Sequence, residues 1–306
     1  MDWQNLFDMS SLFLQQLVNG LTVGGVYALI AVGYTMVYGV IELINFAHGE
    51  IYMFGAFITF HLITVYKVPF FVAGLVAVAT CAVIGVLLDL VAYRPLRNAP
   101  RLAALITAIG MSIFFQNVAL IKWGAMIKSY PLEALPAFFS DVAVQIGDVQ
   151  VTWLQVFILA TTLVLMYVLH TIIHRTKVGT AMRAIAQDKR AAALMGINVN
   201  RVISFTFALG SSLGAVAGIL VGVFYNAIWP TMGYIAGIKA FAAAVLGGIG
   251  SVPGAMLGGV VLGVAEVFGA GYLSSQYRDG IAYAVMILVI VFKPSGLLGK
   301  ATIQKV

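Results

Sequence analysis

The stretch ELINFAHGEIYMFGAF, residues 42–57, sets two acids, an amide and an imidazole between apolar runs tens of residues long: Glu42, Asn45, His48 and Glu50. A third acid, Glu266, stands inside another apolar run. An ionisable group at the centre of a bilayer costs at least about 2.5–3.5 kcal/mol. Such groups need a wet cavity, a partner or an exposed position, and two chemistries fit them. One is a polar lining for a permeating solute. The other is repair of a helix break, with Asn45 and His48 satisfying freed backbone groups and Glu50 at the positive end of the next helix. Asn45, His48, Glu50, Gly248, Gly250 and Glu266 are therefore candidates for a pathway or a helix break.

Other chemistries fail on spacing. His48 and Glu50 do not form H-E-x-x-H, and His170 and His174 have no nearby acid, so no metal site is expected. Cys81 stands alone, which excludes an internal disulfide. Gly210–Gly214 (GSSLG) matches the hydrolase pattern G-x-S-x-G, but it lies in an apolar helix rather than a strand-to-helix elbow. GGIGSVPG puts Pro253 at the last position of G-x-G-x-x-G. SGLLGKA has Pro294 where a P-loop needs its first Gly and Ala301 where it needs Ser or Thr. No enzyme is expected, and no cofactor on this chain.

The elements that must hold these residues are membrane helices. Of 306 residues 62% are hydrophobic and 9% charged, against about 25% charged in a soluble domain. Residues 9–41, 68–88, 102–121, 149–174, 202–238 and 240–265 contain no Asp, Glu, Lys or Arg. A spanning helix needs about 20 apolar residues, and the alternation of barrel strands is missing. The fold class is all-α and polytopic. Nine apolar segments are expected, near 12–34, 47–65, 68–88, 102–121, 151–173, 202–225, 236–249, 252–270 and 280–293, within a range of eight to ten crossings. The first run is long enough for a helix plus a broken piece. The seventh is short and ends in GGIGSVPGA, the mark of a broken or re-entrant element. The acidic N-terminus MDWQNLFDMS lacks the basic start of a signal peptide, so the first span is expected to be retained.

The net charge of +6 sits between the spans and orients them; no basic, aromatic-interleaved nucleic-acid surface is visible. Arg94, Arg97 and Arg101, six bases against Asp188 in residues 175–201, and Lys293, Lys300 and Lys305 all fall on one side if nine crossings start outside. That side is the cytoplasm by the positive-inside rule. Residues 122–150 then lie outside. Gly210, Gly214, Gly218 and Gly222 recur every four residues and form a smooth helix ridge, for packing within the chain or against a second subunit. HGEIYMFGA and GGIGSVPGA share a spacing (Gly49, Gly55, Ala56; Gly248, Gly254, Ala255) that would fit two internally related halves with broken helices in corresponding places. Residues 180–195 are Ala-rich and end at Gly196, which predicts a short amphipathic helix in the basic loop, lying on lipid or docked on a cytoplasmic partner.

Four stretches, VGTAMRAIAQDKRAAALMGINVNRVISFTFALG, GYTMVYGVIELINFAHGEIYMFGAF, VAYRPLRNAPRLAALITAIGMSIFFQN and GIKAFAAAVLGGIGSVPGAMLGG, resemble the permease subunits of bacterial branched-chain amino acid ABC importers, LivH-type. The resemblance implies one permease domain over 1–306, with 175–201 as its cytoplasmic coupling segment, in the inner (cytoplasmic) membrane. It implies a second homologous permease, two cytoplasmic ATPase subunits that use the ATP, and a periplasmic substrate-binding protein. The implied substrates are Leu, Ile and Val. Relatives carrying urea or short amides share much of the pattern, and a stand-alone ion-coupled transporter using Glu50 and Glu266 is the other alternative. Force from an ATPase must enter through a stiff cytoplasmic element, which makes Gly179, Arg183, Asp188, Ala191, Ala192 and Gly196 the expected contacts. Arg190 departs from the family's E-A-A-x-x-x-G pattern, where Glu would precede Ala191.

Overall fold

The computed structural model describes residues 3–97, 99–293 and 295–299; Lys300, Lys305 and the P-loop comparison at Pro294 and Ala301 lie outside them. Eleven α-helices follow one another: α1 (Trp3–Ile41), α2 (His48–Thr64), α3 (Phe70–Leu88), α4 (Arg101–Trp123), α5 (Trp153–Arg175), α6 (Lys177–Gln187), α7 (Lys189–Leu194), α8 (Val199–Phe224), α9 (Met232–Gly247), α10 (Val252–Tyr272) and α11 (Arg278–Phe292). Seven are long and apolar enough to cross a membrane, α11 reaching 18 residues only with the 3-10 turn Ser275–Tyr277 that precedes it. Two apolar helices are shorter, α2 with 17 residues and α9 with 16, roughly 25 Å each at 1.5 Å per residue. Together they account for the nine expected segments. The first run holds no break: α1 is one helix to Ile41.

The caps are written locally. Thr152 and Gln155 form a capping box at α5. Asn198 accepts from Arg201 N at 3.1 Å to start α8, and Ser251 accepts from Gly254 N at 3.2 Å to start α10. Between α4 and α5 the chain makes a small antiparallel hairpin, β1 (Val142–Ile146) and β2 (Val149–Thr152), turning at Gly147.

Helices α1–α4 and α8–α11 pack as two inverted sets. Helix α1 lies on α8 and α2 on α9; α1 lies on α10 as α8 lies on α3; α2 flanks α4 as α9 flanks α11. The first helix of each set runs in the opposite direction to its counterpart. Ile41, at the end of α1, meets Lys189, whereas Val199, at the start of α8, follows that same basic segment. Arg97 bonds Asn200, so the loop after α3 lies at this end too. The opposite end carries the 124–152 excursion, joined to the end of α8 by the bridge Lys128–Ile228. The basic residues of the 175–201 segment and Arg97 thus gather at one end, while Lys128 lies at the other.

The centre is α1, whose most apolar window is 89% buried, against 28% for α3, α4 and α5 and 6% for α11. Small residues make its seam with α10. A methyl at Gly20 would sit 2.9 Å from Val264 Cα, and one at Gly24 would sit 2.8 Å from Val260 Cα. The α8 ridge also packs within the chain. Gly210 faces Gly33, Gly214 faces the His48 ring, Gly218 faces the Tyr52 backbone and Gly222 faces Tyr130.

Candidate functional site

After Ile41 the chain leaves the helix, passes through residues 42–47 and resumes at His48. The polar residues of this break have separate tasks. Asn45 Oδ1 accepts from the Tyr93 hydroxyl at 2.9 Å, while its backbone oxygen accepts from His48 N at 3.1 Å. The His48 ring fills the gap between Gly33 and Gly214, with the Tyr34 ring edge-on at 5.0 Å. Glu50, in the first turn of α2, is fully buried; its Oε1 accepts from Ser112 Oγ and Gln116 Nε2, both at 2.8 Å.

Helix α9 begins the same way. The chain leaves α8 at Phe224, runs unwound through residues 225–231 and resumes at Met232. The two short helices cross at their N-terminal turns. A methyl on Gly233 would lie 2.6 Å from Gly49 O, and one on Gly49 would lie 2.7 Å from Gly237 Cα. This corrects the internal register suggested by sequence: the counterpart of the Glu42–Ala47 break is 225–231, not GGIGSVPGA. Gly248 and Gly250 instead make the turn between α9 and α10, with φ of +104° and +90°. That turn is held by the C-terminal residues, whose Leu297 N donates to Leu246 O and Leu298 N to Gly247 O. It shares nothing with Glu50.

Glu266 belongs to a four-charge cluster that sequence reading only half saw. Its Oε1 accepts from Lys239 Nζ at 3.0 Å, from Arg278 Nε at 2.5 Å and from the Tyr27 hydroxyl at 3.1 Å. Lys239 also pairs with Asp279 at 2.6 Å. Lys239 was findable, because it alone separates the uncharged runs 202–238 and 240–265. Arg278 and Asp279 read as loop residues. The cluster lines a cavity of about 440 Å³; a second, of about 410 Å³, lies beside Ser112 and Gln116 across the α2–α9 crossing.

The basic segment 175–201 folds as two helices hinged at Asp188. Thr176 caps α6 by accepting from Gly179 N at 3.1 Å, and buried Gly179 lies directly on the Ile172 and Ile173 carbonyls. Asp188 caps α7, accepting from Ala191 N and Arg190 N. Those two N–H groups hold its carboxyl below the usual carboxylate range. Gly196, at φ +82°, ends the segment. Met182, Ile185 and Ala192 turn toward the bundle, while Arg183, Asp188, Ala191 and Gly196 are exposed. Ala192 is 4% exposed, so it does not lie on an outward face. Leu194 and Met195 do, at 89% and 83% exposure, a feature that sequence reading passed over.

The profile of a family described as "Branched-chain amino acid transport system / permease component" matches residues 16–290. The chain belongs to this family. Among curated relatives of this permease, the high-affinity branched-chain amino acid transport system permease protein BraD of Pseudomonas aeruginosa is 48% identical, over 96% of this chain and 98% of its own. The LivH permease of Escherichia coli K12 is 46% identical over the same shares. A probable LivH of Methanocaldococcus jannaschii is 27% identical over 89% of this chain and 88% of its own. Among solved structures, PsaBC from Streptococcus pneumoniae covers 94% of the chain at 13% identity and a TM-score of 0.43, too slight a likeness to bear on the fold. The permease is a multi-pass membrane protein, and its described residues hold no group of three or more His, Cys, Asp or Glu able to bind a metal.

Proposed function

We propose that this chain is the membrane-spanning subunit of an ABC importer in the inner membrane. With a second, homologous permease it forms the path for Leu, Ile and Val delivered by a periplasmic binding protein. Two cytoplasmic ATPases drive it. The observation that carries this reading is the likeness over almost the whole chain to permeases whose names specify branched-chain amino acid transport. The form of the basic segment supports it. A capped two-helix element, tied to α1 by Lys189 Nζ and followed directly by Asn200 of α8, which Arg97 of the loop after α3 holds, presents Leu194 and Met195 outward. Such an element is stiff enough to pass motion from an ATPase into α1. The expected contacts are Arg183, Asp188, Ala191 and Gly196 with the two exposed apolar residues; Gly179 and Ala192 act from behind by fixing the segment on the bundle.

The experiment is purification from native membrane followed by reconstitution. The expected result is co-elution of a second permease and two ATPases, with leucine uptake that needs ATP and the binding protein. Leucine uptake by the lone chain without ATP would overturn the reading in favour of an ion-coupled carrier. Uptake of urea or short amides in place of leucine would overturn the substrate. Leu194→Glu should leave membrane abundance unchanged and reduce uptake at least about tenfold. Unchanged uptake would assign the exposed face to the lipid surface.

A further inference from the structure

The cavity of about 440 Å³ is walled on one side by Lys239, Glu266, Arg278 and Asp279. Tyr27, Tyr52, Val221 and Met232 contribute aromatic and aliphatic surface to the rest. We propose that it is a binding site for a zwitterionic aliphatic α-amino acid on its way through the permease, an inference that rests on the reading of the chain as an amino acid importer subunit.

Three observations carry it. The first is the pairing of Glu266. Oε1 takes all three of its donors, while Oε2, fully buried, has no hydrogen-bond partner among the described residues. A buried carboxylate oxygen without a donor is costly, and an ammonium group of a ligand would supply up to three. The second is charge balance. Two cations face two carboxylates, so the wall is neutral as a whole. A dipolar ligand keeps it neutral, whereas a ligand of net charge would add an uncompensated charge to a buried site. Arg278, 31% exposed at its side chain, gives Nε to Glu266 and Nη2 to the Tyr225 hydroxyl, which leaves Nη1 for a carboxylate; Lys239 is locked between Glu266 and Asp279. The third is place and size. Tyr225 and Arg278 border the cavity at the end of α8 and the start of α11, the end of the molecule away from the basic segment. The volume falls within the range of small-molecule sites. In this arrangement Glu266 Oε2 takes the ammonium, Arg278 the carboxylate, and the Val221–Met232 side the alkyl chain.

The alternative is a purely structural lock between α9, α10 and α11, and the test separates the two. The purified permease–ATPase complex, without binding protein, is titrated with radiolabelled leucine in a scintillation proximity assay. Competitors are unlabelled leucine, leucinamide, which lacks the carboxylate, and 4-methylpentanoate, which lacks the ammonium. The expected result is saturable binding displaced by leucine and at least about tenfold more weakly by either analogue. Glu266→Gln should weaken leucine binding about tenfold or more. Should that variant fail to assemble, Ala227→Trp decides: it fills the cavity from the 225–231 segment and removes none of the ion-pairing groups, and should abolish binding at unchanged yield and Tm. Absence of saturable binding, equal displacement by either analogue, or full binding by Ala227→Trp overturns the site. ATP-driven leucine uptake by the wild-type complex is measured alongside. If uptake is present in any of those cases, only the site falls; if the wild-type complex transports no branched-chain amino acid, the reading beneath it falls as well.

Discussion

Helices α2 and α9 hold equivalent places in the two halves and reach them from unlike sequences. The approach to α2 carries Asn45, His48 and Glu50; the approach to α9, NAIWPT, carries no charge at all. The backbones nevertheless do the same thing: an unwound entry, then a short helix that begins against its counterpart. What the two share is the absence of side chains where they cross, at Gly49, Gly233 and Gly237. What they do not share is charge. Helix α2 holds an acid in its first turn by two neutral donors, whereas α9 holds a base further along by two acids. Symmetry thus belongs to the close packing of backbones, and the polar chemistry is distributed over it unequally.

The sharpest way to break this comparison is to add bulk at the crossing. Gly49→Val and Gly233→Val each push Cβ against backbone atoms of the other short helix, where overpacking costs on the order of 3 kcal/mol. Both should lose most of the folded, membrane-inserted protein to a similar degree in fluorescence-detected gel filtration. A wide gap between them would show that one helix yields and that the crossing is not shared. Next comes the contrast of charge. Lys239→Ala removes the cation between two carboxylates and should destabilise by about 3 kcal/mol. Glu50→Ala strands only the neutral donors of Ser112 and Gln116, a loss of about 1–2 kcal/mol. Thermal unfolding of the detergent-purified chain ranks the two, and the reverse order would contradict the charge asymmetry.

The smallest effect is expected outside the bundle, at Asp188. Its folded pKa is depressed by the Ala191 and Arg190 N–H groups, so its cap contributes fully above the ordinary carboxylate value of about 3.9. The contribution is lost as pH falls through the lower folded value. Amide exchange in α7 should therefore be insensitive to this group between pH 5 and 8. Asp188→Asn should keep the cap, because Asn caps as well as Asp. Asp188→Ala should speed exchange a few-fold, roughly, in that helix alone. Protection equal to wild type in the Ala variant would remove Asp188 from the hinge.

Charge deficit made the nine segments, the basic end and the break after Ile41 legible, since each is a matter of where solvated residues occur. The entry to α9 was legible only as a gap: Pro230 and the interval between the segments 202–225 and 236–249 mark a break, but nothing in these uncharged residues marks it as the counterpart of Glu42–Ala47. Gly248 and Gly250 attracted attention because glycine spacing is visible in a sequence, while the direction a helix runs through the bundle is not. The Glu266 network depends on bringing α1, α9, α10 and α11 together, so Arg278 and Asp279 looked like an ordinary loop. The 142–152 hairpin did carry a signal, alternating apolar residues about a Gly-Asp turn, hidden by its setting among helices.

The exchange of partners between halves, α1 on α10 and α3 on α8, bears on how the chain is made. Tyr27 and Glu266, which meet at 3.1 Å, are 239 positions apart. At a synthesis rate of about 5–20 residues per second, α1 is inserted roughly 10–50 s before its main neighbour exists. During that interval its glycine seam faces lipid or whatever insertion factor holds it. The most buried helix of the finished protein is therefore the one that waits longest for its surroundings. Truncation within the last two helices should consequently expose α1 to degradation while leaving the α3–α8 contact available.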